Sequence, residues 1–456
     1  MRLTFCGGAG AVTGANYLLE IADSTKPGGV RKILIDCGLA QGGRFLELHN
    51  YEPFPYDPAE IDAVFVTHAH IDHTGRLAKL VREGFKGIVY STPPTRDFGG
   101  LLLLDSQHIL AQEAEQLGKP PLYEEKDIGT LMGQWQGVPY HQPILLDGVA
   151  RVVLYSAGHI LGSASIVIEA EGKRIVFSGD LGNQPAPLIG PAECPTTVDY
   201  CVMESAYGDR NHEDLHNRYQ KLERIILETV KDGGVLMIPA FALERTQILL
   251  LEMHEMLEKH QIPHIPIFID SPLAIKLTAV YNLYREYLKP ELAKHFGGPD
   301  QLFRFPGLRM TPTIDDSKSI NKAPSPKIIV AGSGMSNAGR ILHHEVRYLP
   351  DPKNTLLIFG YQAVGSLGRR LLEGAKTVHI LGQEVHVHAH IKAIGAYSAH
   401  ADQRQLMAWV APLYGQVKKV FLVQGEGQAA TILAGKLNNE LGIPAEVPVP
   451  MQSVVL

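Results

Sequence analysis

Cysteine is scarce in this chain: there are four among 456 residues, Cys6, Cys37, Cys194 and Cys201. None shows C-x-x-C spacing, which excludes a thiol redox motif and a disulfide-stapled secreted scaffold. Reduced, buried thiols are expected instead, and with them a cytoplasmic location. Long apolar runs are also missing. The longest suspect, Leu101 to Leu104, stops at Asp105, far short of the ~18–20 residues a membrane span requires. Met1-Arg2-Leu3-Thr4-Phe5-Cys6 runs directly into Gly7-Gly8-Ala9-Gly10 with no apolar h-region, so no signal peptide is expected. Nor is positive charge in excess. A formal charge of −6 argues against a broad basic surface that would grip duplex DNA without sequence preference, although a local basic groove is compatible with it.

What remains is globular. The length of 456 residues is too great for one ordinary core and predicts two or three domains. The first two hundred residues read as short strands with intervening helices. Lys32 to Ile35, Ile61 to Val66, Arg151 to Tyr155, Ser165 to Glu169 and Arg174 to Phe177 are apolar and strand-like, and Leu77, Leu80 and Val81 form a helical stripe. Four of these strands run out into a polar residue, at Asp36, His68, His159 and Asp180. Strand ends of this kind are where α/β folds gather catalytic groups. From about Val202 the texture becomes β–loop–helix. Val235 to Pro239, Ile265 to Ile269 and Lys327 to Ala331 are strands and Arg245 to Lys259 is a helix, which predicts a parallel-sheet domain. Residues 311–326 read as a polar surface loop.

The densest chemistry lies in Thr67-His68-Ala69-His70-Ile71-Asp72-His73. Imidazole and carboxylate suit a borderline-soft cation such as zinc. His68 and His70 can point one way from an extended turn while Asp72 and His73 address a neighbouring point, so the cluster suits two adjacent ions. A second histidine-rich stretch, Val385-His386-Val387-His388-Ala389-His390-Ile391, is read differently. Alternation puts its histidines on one strand face, opposite an apolar face, and so in solvent.

With His159 and Asp180 following in order, the set resembles the metallo-β-lactamase superfamily. The resemblance implies an αββα sandwich with two zinc ions. His68, His70 and His159 would bind the first, Asp72 and His73 the second, and Asp180 would bridge. Asp36 would buttress the ligands from behind. Glu204-Ser205-Ala206-Tyr207-Gly208-Asp209 and Tyr397-Ser398-Ala399-His400-Ala401-Asp402 narrow this further, because together they look like the β-CASP branch of nucleases. That implies an inserted α/β β-CASP domain, with bounds of 1–201 and 393–456 for the metallo-β-lactamase parts and 202–392 for the insert.

By the same resemblance Asp72, Glu204 and His400 are catalytic, His400 acting as general acid with Glu204 orienting it. The alternative reading of Ser398 to Asp402 is a helix cap. Arg245, Gly332, Gly334 and Arg340 are candidate phosphate contacts, as are Arg369 and Arg370. The pattern breaks once. RNA-cleaving members carry histidine in a Val-His-Gly-Glu setting and DNA-processing relatives carry valine, whereas here the segment reads Leu422-Val423-Gln424-Gly425-Glu426. Gln424 would be a weak ligand at best, leaving the second zinc labile. The expectation is a zinc-dependent RNA phosphodiesterase, endo- or exonucleolytic, acting on single-stranded RNA, with no membrane partner and with a homodimer admitted. A non-catalytic RNA-processing subunit and a DNA nuclease are the alternatives. A thioesterase or lactamase would leave the β-CASP motifs without purpose.

Overall fold

The computed structural model describes the chain apart from residues 43, 213–215, 296–301, 361 and 364. It falls into two compact units, Met1–Asn211 with Ala399–Leu456, and His212–Ser398.

The first unit holds two seven-stranded sheets. One runs Ser453–Val455, Arg2–Gly7, Asn16–Ala22, Val30–Ile35, Ala63–Phe65, Ile88–Ser91, Trp135–Gly137. The other runs Ala445–Glu446, Lys419–Val423, Tyr200–Glu204, Lys173–Phe177, Ala164–Ala170, Ala150–Ser156, Ile144–Leu146. Period-two alternation explains why they stack. Leu3, Phe5, Ile33 and Ile35 from the first sheet share one core with Ile166, Ile168, Phe177 and Phe421 from the second. The residues between them face outward and need a cover. Leu34, Val64 and Val66 pack on Leu77, Leu80, Leu103 and Ile128, from the helices Leu77–Arg82, Pro93–Gln116 and Glu125–Gln134. Val167, Val176 and Met203 pack on Leu406, Val410, Leu433 and Leu437, from Gln403–Val410 and Gly427–Glu440. Four layers result, helix–sheet–sheet–helix, as the αββα expectation requires. The suspect run Leu101 to Leu104 is part of the helix Pro93–Gln116, and no helix among the described residues is long and apolar enough to cross a membrane.

The second unit is built on a six-stranded sheet ordered Leu308–Met310, Ile267–Asp270, Lys327–Ala331, Val235–Pro239, Thr355–Phe359, His390–Ile394. Every pairing in it is parallel, and its central strands are buried along their whole length, as strands covered on both faces must be.

Two local expectations need correction here. Residues 311–326 are not a plain loop: Thr313 caps a short helix, Ile314–Ser319, through a reciprocal pair with Asp316. That capping box is visible as Thr-x-x-Asp, but the polar composition hid it. The stretch from Val385 to Ile391 is not one strand either. Gln383–His386 and His390–Ile394 belong to different sheets, with an irregular link between. His386, His388 and His390 are exposed and Val385, Val387 and Ala389 buried, so the faces separate as alternation predicts although the strand is broken.

Candidate metal centre

Both sheets of the first unit deliver polar residues from the ends of their strands. Asp36 follows Val30–Ile35, His68 lies shortly after Ala63–Phe65, and His159 follows Ala150–Ser156. Asp180 follows Lys173–Phe177, Glu204 ends its strand, and Gln424 directly follows Lys419–Val423. Two of them, Asp36 (φ 58°) and Gln424 (φ 49°), hold the left-handed backbone that non-glycine residues rarely adopt. Their surroundings must hold them there.

Four donor atoms converge. His68 Nε2 lies 3.0 Å from His70 Nδ1, and His159 Nε2 lies 3.3 Å from the same atom. Asp180 Oδ2 is 3.4 Å from His68 Nε2 and 3.6 Å from His159 Nε2. Zinc with bonds of about 2.0–2.1 Å sets neighbouring ligand atoms about 3.3–3.4 Å apart, and these four separations are close to that spacing.

Hydrogen bonds on the far side of the His68, His159 and His73 rings explain which nitrogen of each points inward. Thr67 donates from its backbone N–H to Asp36 Oδ1 and from its hydroxyl to Asp36 Oδ2, both at 2.8 Å. With its proton spent there, the Thr67 hydroxyl accepts from His68 Nδ1 at 3.1 Å. His159 Nδ1 donates to the carbonyl of Ala399 at 3.2 Å. His73 Nδ1 donates to Asp36 Oδ2 at 2.7 Å. In His68 and His159 the other nitrogen is left with a lone pair. Burial pulls the pKa of both His68 and His159 well below the ordinary histidine value, reinforced by the neighbouring His73 and His400 respectively. Neutral rings are the form that binds a metal. Lone pairs and a carboxylate pressed this close repel one another unless a cation sits between them, so the residues fit a divalent ion.

Asp180 divides its two oxygens. Oδ2 faces the cluster, while Oδ1 lies 3.3 Å from His73 Nε2 and 3.0 Å from Gln424 Nε2. Asp72 Oδ2 stands 3.8 Å from His73 Nε2, and the backbone carbonyl of Asp72 accepts from Ala15 N–H at 2.9 Å. Burial opposes charge on His73, but Asp180, Asp36 and Asp72 around it raise its pKa well above the usual range.

His400 borders the cluster, its ring centroid 4.7 Å from that of His159 and its Nδ1 3.8 Å from Asp180 Oδ2. Its Nδ1 lies 3.4 Å from Glu204, whose Oε1 also accepts from Leu181 N–H at 2.5 Å. Burial disfavours the imidazolium, yet Glu204 and Asp180 together lift the His400 pKa to about 10. The side chain is 29% exposed, whereas Glu204 is fully buried. The helix-cap reading of this segment is also satisfied, by a different residue. Asp402 caps Gln403–Val410 with Gln405, which leaves His400 free of that duty.

Three contributors have no strong sequence signal. Thr67 sits inside the histidine motif but sets the tautomer rather than the ligand count. Gly182 pairs with His400 across a single β-bridge, and a Cβ there would come within 1.5 Å of the Gly158 carbonyl. Tyr17 is buried beneath the site, its hydroxyl without a hydrogen-bond partner among the described residues.

The candidate phosphate contacts all lie in the second unit. The Arg340 guanidinium donates to Asp270 Oδ1 at 2.8 Å, to the Thr311 carbonyl at 2.7 Å and to the Pro312 carbonyl at 3.1 Å, so it is engaged internally. Arg245 stacks on Phe241 at 4.6 Å and reaches the Phe359 carbonyl at 3.4 Å. Gly334 is pressed against the Phe241 ring, where a Cβ would come within 2.4 Å, whereas Gly332 has room for one. Arg369 pairs with Glu373 at 2.6 Å on the surface. Arg370 stands on the same short helix, Leu367–Leu372.

Comparison with known proteins agrees with this architecture. Residues 17–238 match the family model described as metallo-beta-lactamase superfamily, residues 246–371 the Beta-Casp domain, and residues 384–448 the Zn-dependent metallo-hydrolase RNA specificity domain. The chain is 37% identical over 437 residues to "Ribonuclease TTHA0252" of Thermus thermophilus, covering 96% of each. It is 31% identical to "Transcription termination factor FttA" of Methanosarcina mazei, covering 100% of this chain and 72% of that one. A crystal structure of a protein of unknown function from Enterococcus faecalis shares the fold, with a TM-score of 0.59, 13% identity and coverage of 100% and 99%.

Proposed function

The chain belongs to the β-CASP family of the metallo-β-lactamase superfamily, and from that premise we propose that it is a zinc-dependent ribonuclease of the cytoplasm acting on single-stranded RNA. The observation that carries the reading is the convergence of ligand atoms from His68, His70, His159 and Asp180, with His400 beside them. A relative named a ribonuclease over nearly the full length, and the match to an RNA specificity domain, support RNA as the substrate class. The unit His212–Ser398 is taken as the inserted domain, and a homodimer is part of the same reading.

A divalent ion bound by the four residues would supply Lewis acidity and a hydroxide nucleophile near neutral pH. The protein's own residues supply the rest. Asp36 and Thr67 hold the His68 ring so that Nε2 faces inward. Ala399 does the same for His159. Cleavage that leaves a 5′-phosphate expels a 3′-oxygen that needs a proton, and His400, held by Glu204, is protonated at neutral pH and partly exposed to an incoming chain. The fully buried Glu204 orients the imidazolium and keeps it charged. Asp72 stands beside His73 Nε2, on the same side as Asp180, and acts on that ring electrostatically.

The test is cleavage of end-labelled single-stranded RNA and DNA by the zinc-loaded protein and by His400→Ala. RNA cleavage that falls by about 10²–10⁴ in His400→Ala is expected. Undiminished cleavage in that variant sinks the general-acid role, and preferential cutting of DNA moves the protein to the DNA-processing side of the family. A second reading, an RNA-processing subunit that binds without cutting, is favoured by Gln424 alone. Tight RNA binding with no metal and no cleavage in the wild type would establish it.

A further inference from the structure

Gln424 stands where this family's second ion would be completed, and its atoms are arranged as a substitute for that ion. Its amide nitrogen lies 2.7 Å from His73 Nε2 and 3.0 Å from Asp180 Oδ1, while those two acceptors are 3.3 Å from each other. His73 Nδ1 donates to Asp36 Oδ2, so Nε2 is the nitrogen that faces the Gln424 amide. A primary amide nitrogen carries two protons. One can go to each acceptor, and the triangle is then fully satisfied. The opposite orientation of the amide would set oxygen against the Asp180 carboxylate with no proton between them.

Gln424 is held for this task. It is 4% exposed and left-handed in backbone, and its own N–H donates to the Gly8 carbonyl at 2.7 Å. His73 Nε2 has a single lone pair and cannot bind a second cation while it holds the amide, and the carbonyl oxygen offered in exchange is a poorer zinc ligand than imidazole.

We infer that the protein holds one ion per chain, and that the Gln424 amide takes the second ion's place by donating its two N–H bonds to His73 and Asp180. The inference rests on the metal-dependent reading above and sharpens it: the site carries one divalent charge, and His73 serves to position Asp180. It also replaces the picture of a labile second ion with one in which that position is already filled by the chain itself.

The experiment is zinc content per chain by mass spectrometry after saturation with zinc and removal of the excess. Wild type is compared with Gln424→His, and with Gln424→Glu in case the histidine variant does not fold. One zinc in wild type and two in either folded variant are expected. Two in wild type overturn the inference while leaving the metal-dependent reading intact. None in wild type overturns that reading itself, and the inference with it. One in wild type and one in both folded variants also overturns it, because the amide would then not be what excludes the ion. An independent readout is hydrogen exchange at the Gln424 side-chain amide by NMR in the zinc-loaded protein. Slow exchange is expected, and exchange at the rate of an exposed glutamine overturns the inference.

Discussion

Asp36 Oδ2 accepts from both the Thr67 hydroxyl at 2.8 Å and His73 Nδ1 at 2.7 Å, while its Oδ1 accepts from the Thr67 backbone. Asp36 and Thr67 therefore form a clamp behind the histidine motif, and the orientation of His68 depends on it through the Thr67 hydroxyl. Thr67→Val keeps the shape but removes the acceptor for His68 Nδ1. Zinc affinity, measured by competition with a chromophoric chelator, is expected to fall by about 10–100-fold. Asp36→Ala should lose at least as much, since it frees both Thr67 and His73. Unchanged affinity in both variants would show that the ring orientation does not depend on the clamp.

Removing the ion should destabilise the first unit, because lone pairs of His68, His70 and His159 then confront Asp180 with nothing between them. At a free zinc concentration about 100-fold above Kd, binding contributes about 2.7 kcal/mol. Chelation is therefore expected to lower the thermal midpoint measured by calorimetry, and zinc to restore it. The effect should be reversible and absent in a His68→Ala/His159→Ala double variant.

The pKa of His400, raised to about 10, fixes the sign of its pH dependence. A group whose folded value is raised keeps its proton, and the stability that proton confers, below the unfolded value near 6.5. Both are lost as pH rises through the folded value. The alkaline limb of kcat should thus belong to His400. In Glu204→Gln, which removes the neighbouring charge, that limb should move toward neutral pH. His400→Ala should abolish the limb and depress RNA cleavage, while a nitrophenyl phosphodiester, whose leaving group needs no proton, should lose much less. Equal losses on both substrates would mean that His400 does not protonate the leaving group.

Arg340 separates a phosphate-binding role from a structural one. Its guanidinium is bonded to the fully buried Asp270, which His344 Nε2 also meets at 2.7 Å and which Ser317 and Thr311 contact as well. These partners hold the Asp270 pKa down to about 2 against its burial. Arg340→Ala is expected to cost about 1–3 kcal/mol of stability by leaving a buried carboxylate short of a donor. The salt dependence of RNA binding should not change, whereas a lost phosphate contact would reduce its slope by about one. Because the depressed Asp270 stabilises the unit above pH ~4, its contribution should fade only as pH drops toward 2.

Some of this could be read from the residues alone. Val235–Pro239 and Lys327–Ala331 are strands whose bounds follow from an apolar run, and polar residues at or just beyond the ends of such runs pointed to Asp36, His159 and Asp180. The histidine motif is local, so its members are neighbours whatever the fold. What escaped the sequence depends on distant partners. The direction of the Gln424 amide is set by Asp180 and His73, 244 and 351 residues away. The engagement of Arg340 is set by Asp270, 70 residues away, and by a short helix whose cap was masked by its polar composition. The break between His386 and His390 follows from the two flanking strands joining different sheets, which no alternation pattern records.

The way the two sheets of the first unit are completed has a consequence for how the protein is made. All four residues His68, His70, His159 and Asp180 lie before Leu181, but the strand Lys419–Val423 pairs with Tyr200–Glu204, and Ser453–Val455 pairs with Arg2–Gly7. On the ribosome both edges emerge early and stay unpaired until the whole of His212–Ser398 has been synthesised. At about 5–20 residues per second that is a wait of roughly ten to forty seconds. During it the nascent chain exposes sheet edges and a half-built site that lacks His400 and Gln424. A stop codon before residue 453 would make that condition permanent for the strand Arg2–Gly7, so premature termination should yield aggregation-prone chains rather than partly active ones.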